Sequence, residues 1–194
     1  MTATLTYETA EDWFDAIAKG ESADISPLPL AAEALGESQD ALRKKLKKGT
    51  IPQIVIGDTI HLPVSYVTEE LRRHRRALET LKVALEKVAR DQKTIFYGEL
   101  MEMIGMSWQS PPDRSRIGVL LGEILDWSYD THGIFLTSIV HRKSAAPTHP
   151  GPGYFPLVAA WKEEDDDVDY DPDADEHEML NRHMKAVWDH YRKS

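Results

Sequence analysis

The chain contains no cysteine. That excludes disulfides, thiolate metal sites and cysteine nucleophiles, and it fits a reducing compartment. No apolar run approaches the roughly 18 residues that suggest a membrane span, so no membrane partner is expected. The opening Met-Thr-Ala-Thr-Leu-Thr-Tyr-Glu-Thr lacks the basic and apolar regions of a secretory signal, and a cytoplasmic location is the simplest expectation. Also missing are a Walker-type phosphate loop, a His-Glu-x-x-His pair and an Asp/Glu-x-Lys nuclease core after a strand. Pro150-Gly151-Pro152-Gly153 supplies glycine, but its prolines remove amide donors that a phosphate nest requires. His132, His141, His149 and Asp130 show no metal-ligand spacing. No enzyme activity, cofactor or metal is expected, with a hydrolase using His141 or His149 as the catalytic rival.

Positive charge is scarce overall: 23 Lys and Arg against 33 Asp and Glu give a formal charge of −10. The deficit is local. Eleven acidic residues lie between Glu163 and Glu178 with no Lys or Arg among them, and without those eleven the charge becomes +1. The body is therefore near neutral with basic clusters. From Asp167 the acids Asp169, Asp171, Asp173, Asp175 and Glu178 follow the ligand rhythm of an EF-hand loop, although Pro172 stands where that turn needs glycine. An acidic linker with alternating aspartates gives the same rhythm. Such a linker, a mobile connector, could engage a basic partner or mimic nucleic acid.

What stands out is residues 28–62. A short apolar helix stops at Gly36, with Pro27 and Pro29 discouraging helix before Leu30. Ser38 caps a second helix in which Ala41, Leu42 and Leu46 recur at helical spacing, and Gly49 ends it. Gly57-Asp58 then separates Ile54–Ile56 from Thr59–Leu62, a hairpin signal. Gln39, Arg43, Lys44, Lys47 and Lys48 occupy the other faces of the second helix. They form either a solvated basic surface or a groove-reading one, with lysines on phosphates and Gln39 and Arg43 near base edges.

The rest of the chain reads as follows. A packing helix is expected over residues 9–20, carrying Trp13, Phe14, Ile17 and Ala18, and residues 21–27 read as a loop. Thr68 is expected to cap a long helix reaching about Asp91. Its stripe of Leu71, Leu78, Leu81, Leu85 and Val88 suits either a strut or a homodimer seam. After Thr94 come a helix to about Gly105, a loop through Pro111-Pro112, a helix over about 113–126, a strand over 134–140 and a Pro/Gly loop over 147–156. Leu180, Met184, Val187, Trp188 and Tyr191 give a docking C-terminal helix.

Two resemblances attach to these residues. The 28–62 stretch, with its Lys48-Gly49-Thr50-Ile51-Pro52 step and hairpin, resembles the winged helix-turn-helix modules of the MerR and phage-excisionase type. This implies a DNA partner and dimerisation through the following helix, residues 68–91. The hairpin tip departs from the pattern, carrying Asp58 and no Lys or Arg between Ile54 and Leu62. Further on, Tyr97-Gly98-Glu99-Leu100, Arg116-Ile117-Gly118 and Val140-His141-Arg142 follow in the order seen in the C-terminal domain of O6-alkylguanine-DNA alkyltransferases and alkyltransferase-like proteins. The resemblance places Tyr97 at the tyrosine that crowds the target phosphate and Arg116 at the arginine that fills the space of a flipped base. His141 and Arg142 fall on the His-Arg of the active-site segment. Val140 stands at the reactive cysteine, so alkyl transfer is excluded.

The expected fold is mainly α with short β-hairpins: two winged-helix-like modules joined by a long helix, then an acidic linker and a C-terminal helix. The boundaries fall at 1–66, 67–92, 93–161, 162–178 and 179–194. The expected function is non-catalytic DNA binding, as a regulator or DNA-recognition adaptor, with Arg114 and Arg116 as the second module's contributors. A protein-interaction or DNA-mimic module acting through the acidic segment and an alkyltransferase-like lesion reader are the alternatives.

Overall fold

The computed structural model describes residues 4–7, 19–20, 24–143 and 149–192. The packing helix expected over residues 9–20 lies essentially outside them. The chain is mainly helical with two small sheets, and it divides into two compact units, Met1–Arg76 and Ala77–Ser194. No helix among the described residues is long and apolar enough to cross a membrane.

In the first unit, strands β1 (Thr4–Tyr7), β2 (Ile25–Pro27), β3 (Gln53–Ile56) and β4 (Thr59–Pro63) form one sheet in the order β1-β3-β4-β2. The hairpin is present in the expected register, Ile56 opposite Thr59 and Val55 opposite Ile60, and Gly57 takes the positive φ (56°) that its turn demands. It is nonetheless the central pair of the sheet. β1 runs parallel to β3 on one side and β2 antiparallel to β4 on the other. Two departures concern proline. Residues 25–27, expected as loop, form the edge strand β2, where proline is tolerated. Helix α1 (Leu28–Ala34) starts two residues before Leu30, because Pro29 sits in the first turn, where its missing N–H costs nothing.

Helix α2 (Gln39–Lys47) is built as its caps suggest. Ser38 Oγ accepts the Ala41 N–H at 3.2 Å, and beyond Lys48 the chain turns through Gly49 at φ 65°. Leu42 and Leu46 are buried with Leu28, Ala31, Ala32, Ile51, Leu62 and Val67. Each of the two leucines contributes about 2 kcal/mol by leaving water.

Helix α3 (Val64–Arg90) begins four residues before the expected cap. Thr68 is inside it, its hydroxyl donating back to the Val64 carbonyl at 3.0 Å, which is what a mid-helix threonine does in place of capping. The α3 stripe is engaged within the chain. Leu71 packs on the first unit's core, Leu81 and Leu85 are buried in the second unit's core, and Leu78 and Val88 pack against the latter.

The second unit contains β5 (Ile95–Phe96), α4 (Tyr97–Met103), α5 (Pro111–His132), a 3₁₀ turn (Leu136–Ile139), β6 (Val140–His141), α6 (Tyr154–Glu164) and α7 (Glu176–Arg192). Pro111 and Pro112 open α5 instead of lying in a loop: Ser110 caps it, and first-turn prolines give up no hydrogen bond. The helix also runs past Asp126 to a left-handed Gly133. The segment expected as a strand is a 3₁₀ turn followed by two strand residues. Its apolar run carries no period that distinguishes the two, and Ser128 decides it. The buried Ser128 hydroxyl donates toward the Ile134 carbonyl at 2.9 Å and accepts the Leu136 N–H at 3.0 Å, folding the chain back on α5. β6 pairs with β5 in parallel, so the second unit's strands form no hairpin. The expected 147–156 loop ends at Gly153, and α6 follows with Pro156 in its first turn.

Replacing Ser128 by alanine leaves the buried Leu136 N–H without its acceptor. We expect a loss of about 1–3 kcal/mol in urea unfolding. A loss within about 0.5 kcal/mol, as at an ordinary surface position, would contradict this account of the turn.

Candidate functional site

Two places gather the nominated residues. The first is α2. With Leu42 and Leu46 inward, helical spacing leaves Gln39, Arg43, Lys44, Lys47 and Lys48 exposed. Arg43 donates to Asp40 at 3.2 Å and to the Gln39 side-chain Oε1 at 3.3 Å, both at the surface. Exposed pairs of this kind contribute little and exchange readily with other partners. Lys45 is held by Glu37 at 2.5 Å. Lys44, Lys47 and Lys48 have no carboxylate partner among the described residues. The helix thus presents unneutralised cations on one small module. The neighbouring hairpin offers none, and it lies inside the sheet.

The second place is a cleft of about 250 Å³ within the second unit. Its floor is α5, which contributes Arg114, Ile117, Gly118, Leu121, Gly122 and Leu125 at the spacing of one helix face. Arg116 lies two residues off that face and does not line it. Tyr97, the first residue of α4, forms one wall, and Arg142, just after β6, another. Trp108 stands at the rim, half exposed, its ring centroid 6.4 Å from that of Tyr97. The loop bearing Trp108 is tied down. Arg114 Nη1 donates to the Trp108 carbonyl at 2.8 Å, and the Ser107 N–H donates to Asp113 at 3.0 Å. The loop at Gly151 supplies the remaining edge, where any Cβ would collide with the Tyr97 hydroxyl.

The electrostatics of the cleft are one-sided. Among the described residues two arginines line it and no carboxylate does. Arg142 anchors its backbone by donating its N–H to the His149 carbonyl at 2.9 Å, while its buried Nε has no hydrogen-bond partner among the described residues. Burial raises the Tyr97 pKa, and the Gly151 backbone hydrogen bond and the Arg142 charge pull it back. Tyr97 therefore stays a neutral hydroxyl, beside a cation.

Of the residues nominated from sequence, Tyr97, Arg114 and Arg142 thus come together. His141 does not join them. It is buried, with Nε2 at 3.1 Å from the Ser138 carbonyl and Nδ1 unpartnered. His149 faces Glu176 at 3.3 Å. Sequence reasoning missed Trp108, Gly118, Gly122, Gly151 and Tyr154 as cleft residues. Two glycines four apart inside a helical pattern were the available signal.

The acidic stretch, expected as a mobile connector, packs against the second unit. Val168 is buried in the second unit's core. Asp165 accepts from the Tyr129 hydroxyl at 2.7 Å, and Asp169 takes Arg182 in a two-pronged pair at 2.8 Å on each arm. Arg182 holds the Asp169 carboxyl below the usual range. Asp171 and Asp175 accept backbone N–H groups of Asp173 and Glu178, each at 2.9 Å. Among the described residues no three acidic or histidine side chains converge as a metal cage would require. Beneath this stretch His183 Nε2 lies 2.7 Å from the Asp169 backbone carbonyl. That acceptor fixes the proton on Nε2, so Nδ1 accepts from the Tyr154 hydroxyl at 2.9 Å.

Comparison with known protein families, curated proteins and solved structures finds no match to this chain.

Burial lowers the pKa of both His141 and His183, so each resists protonation in the folded chain. The unfolded chain takes up these protons near pH 6.5. The stability owed to the neutral rings is therefore complete above about pH 6.5 and is lost as the pH falls toward their lowered values. Calorimetric melting between about pH 7.5 and pH 5 should show a falling midpoint. A midpoint that stays level across that interval would count against two buried neutral imidazoles.

Proposed function

We propose that this protein binds DNA without catalysis, as a regulator or a DNA-recognition adaptor, and that α2 is the element that meets the duplex. The observation that carries the proposal is the exposed face of α2, where Lys44, Lys47 and Lys48 form no ion pair among the described residues. Lysines in water are suited to phosphates, where they act as compact charges and release condensed counterions. Gln39 and Arg43, now bonded to each other and to Asp40, would exchange those weak surface contacts for base edges. The sheet-bound hairpin with Asp58 at its tip takes no part in this reading. A protein-interaction role for the acidic segment has less support, because Asp165, Asp169, Asp171 and Asp175 are already engaged inside the unit. The alkyltransferase-like alternative draws support from Tyr97 and Arg142 sharing a cleft, but Arg116 and His141 lie off it.

Fluorescence anisotropy with a labelled generic duplex tests the proposal. Binding should be measurable at low salt and weaken as salt rises, the log–log slope shrinking by about 0.9 for each phosphate-contacting cation removed. Changing Arg43, Lys44, Lys47 and Lys48 together to glutamine should abolish the shift. Undiminished binding by that variant, or none by the parent at low salt, would refute the assignment to α2.

A further inference from the structure

The cleft in the second unit is not used by the DNA-binding proposal, and packing does not explain its lining. Gly118 and Gly122 both face it from inside α5. Glycine destabilises a helix interior relative to alanine, so it persists there when a missing side chain is needed. Neither residue has a positive φ. A Cβ on Gly118 would meet nothing within 4 Å, and one on Gly122 would make only an ordinary contact of 3.6 Å with Leu157. Backbone conformation and neighbours therefore both permit alanine. What the two glycines preserve is the open space itself, a flat shelf of helix backbone one turn long.

The surroundings of that shelf define what fits it. Trp108 and Tyr97 supply aromatic surface, and Leu121 and Leu125 supply apolar surface. Arg142 supplies a cation, and among the described residues no carboxylate lines the cleft. Arg114 is already committed in part to the Trp108 carbonyl. An apolar cleft lined by a guanidinium and, among the described residues, by no carboxylate selects a flat body bearing one anionic group, and the planar guanidinium fork matches a carboxylate in particular.

We propose that this cleft binds a small aromatic carboxylate, its ring lying on the Gly118–Gly122 shelf beside Trp108 and its carboxylate on Arg142. The site is independent of α2 and does not rest on the DNA-binding reading.

Isothermal titration of the full chain with 2-naphthoate and with uncharged 2-naphthamide tests it. The acid should bind saturably at one site, about tenfold or more tighter than the amide, the difference expected of a charge-assisted hydrogen bond. Arg142→Gln should bring the two compounds within about twofold of each other. Gly118→Leu fills the shelf and should remove naphthoate binding. Gly118→Ala, which should melt no lower than the parent, should weaken it severalfold and guards against misfolding of the leucine variant. The proposal is overturned by an absence of saturable naphthoate binding, by equal affinity for acid and amide, or by naphthoate affinity unchanged in both Gly118 variants.

Discussion

Helix α5 has to serve two surfaces at once, and most of the second unit follows from how it does so. Over its 22 residues it buries Ile117, Leu120, Leu121, Ile124 and Leu125 in the core, while Arg114, Gly118 and Gly122 line the cleft together with Ile117, Leu121 and Leu125, which belong to both surfaces. At 3.6 residues per turn, two overlapping surfaces fit on one helix only if part of the face is made of small or long-armed residues. Glycine keeps that part low, and Arg114 reaches along it to hold the Trp108 loop. At the far end, Ser128 turns the chain so that β6, and with it Arg142, returns beside β5 and α4. The cleft is thus a consequence of where one helix starts, how it is surfaced and how it stops.

The acidic segment shows a different economy. Eleven carboxylates within sixteen residues would repel one another in an extended chain. The fold disperses them by giving several their own local donors: backbone N–H groups for Asp165, Asp171 and Asp175, a tyrosine hydroxyl for Asp165 and a guanidinium for Asp169. Val168 and the bond from His183 to the Asp169 backbone carbonyl then fasten the segment to apolar ground. Charge density alone therefore says little about whether a segment packs. The number of donors within reach of each carboxylate says more.

These cases explain what could be read in advance. Local chemistry was legible: the Ser38 cap, the Gly49 stop, the Gly57 turn and the C-terminal stripe each depend on residues within one or two turns of chain. Prolines misled where they were taken as breakers, since Pro29, Pro111, Pro112 and Pro156 all sit in first turns that need no donor from them. The 134–140 run was illegible because its fate rests on Ser128, a hydroxyl several residues away in sequence that no periodicity reveals. The cleft was half legible. Short motifs nominated Tyr97, Arg114 and Arg142, but their convergence depends on β5 meeting β6, a pairing of two residues from distant parts of the chain.

The two groups of cations also differ in kind, and the difference bears on what each can bind. Lys44, Lys47 and Lys48 stand in water, where a hydrated ammonium interacts with charge at modest strength and without directional demand. Several such groups acting together suit a polyanion whose charges repeat. Arg142 is instead set in an apolar wall with no countercharge in the lining. There an uncompensated cation costs stability until an anion arrives, so a single ligand charge recovers more than it would at the surface. An arginine tolerates this position better than a lysine, because it cannot shed its proton and is less strongly hydrated. The two proposals therefore call on cations in different settings, exposed ammonium groups on α2 and a half-buried guanidinium in the cleft.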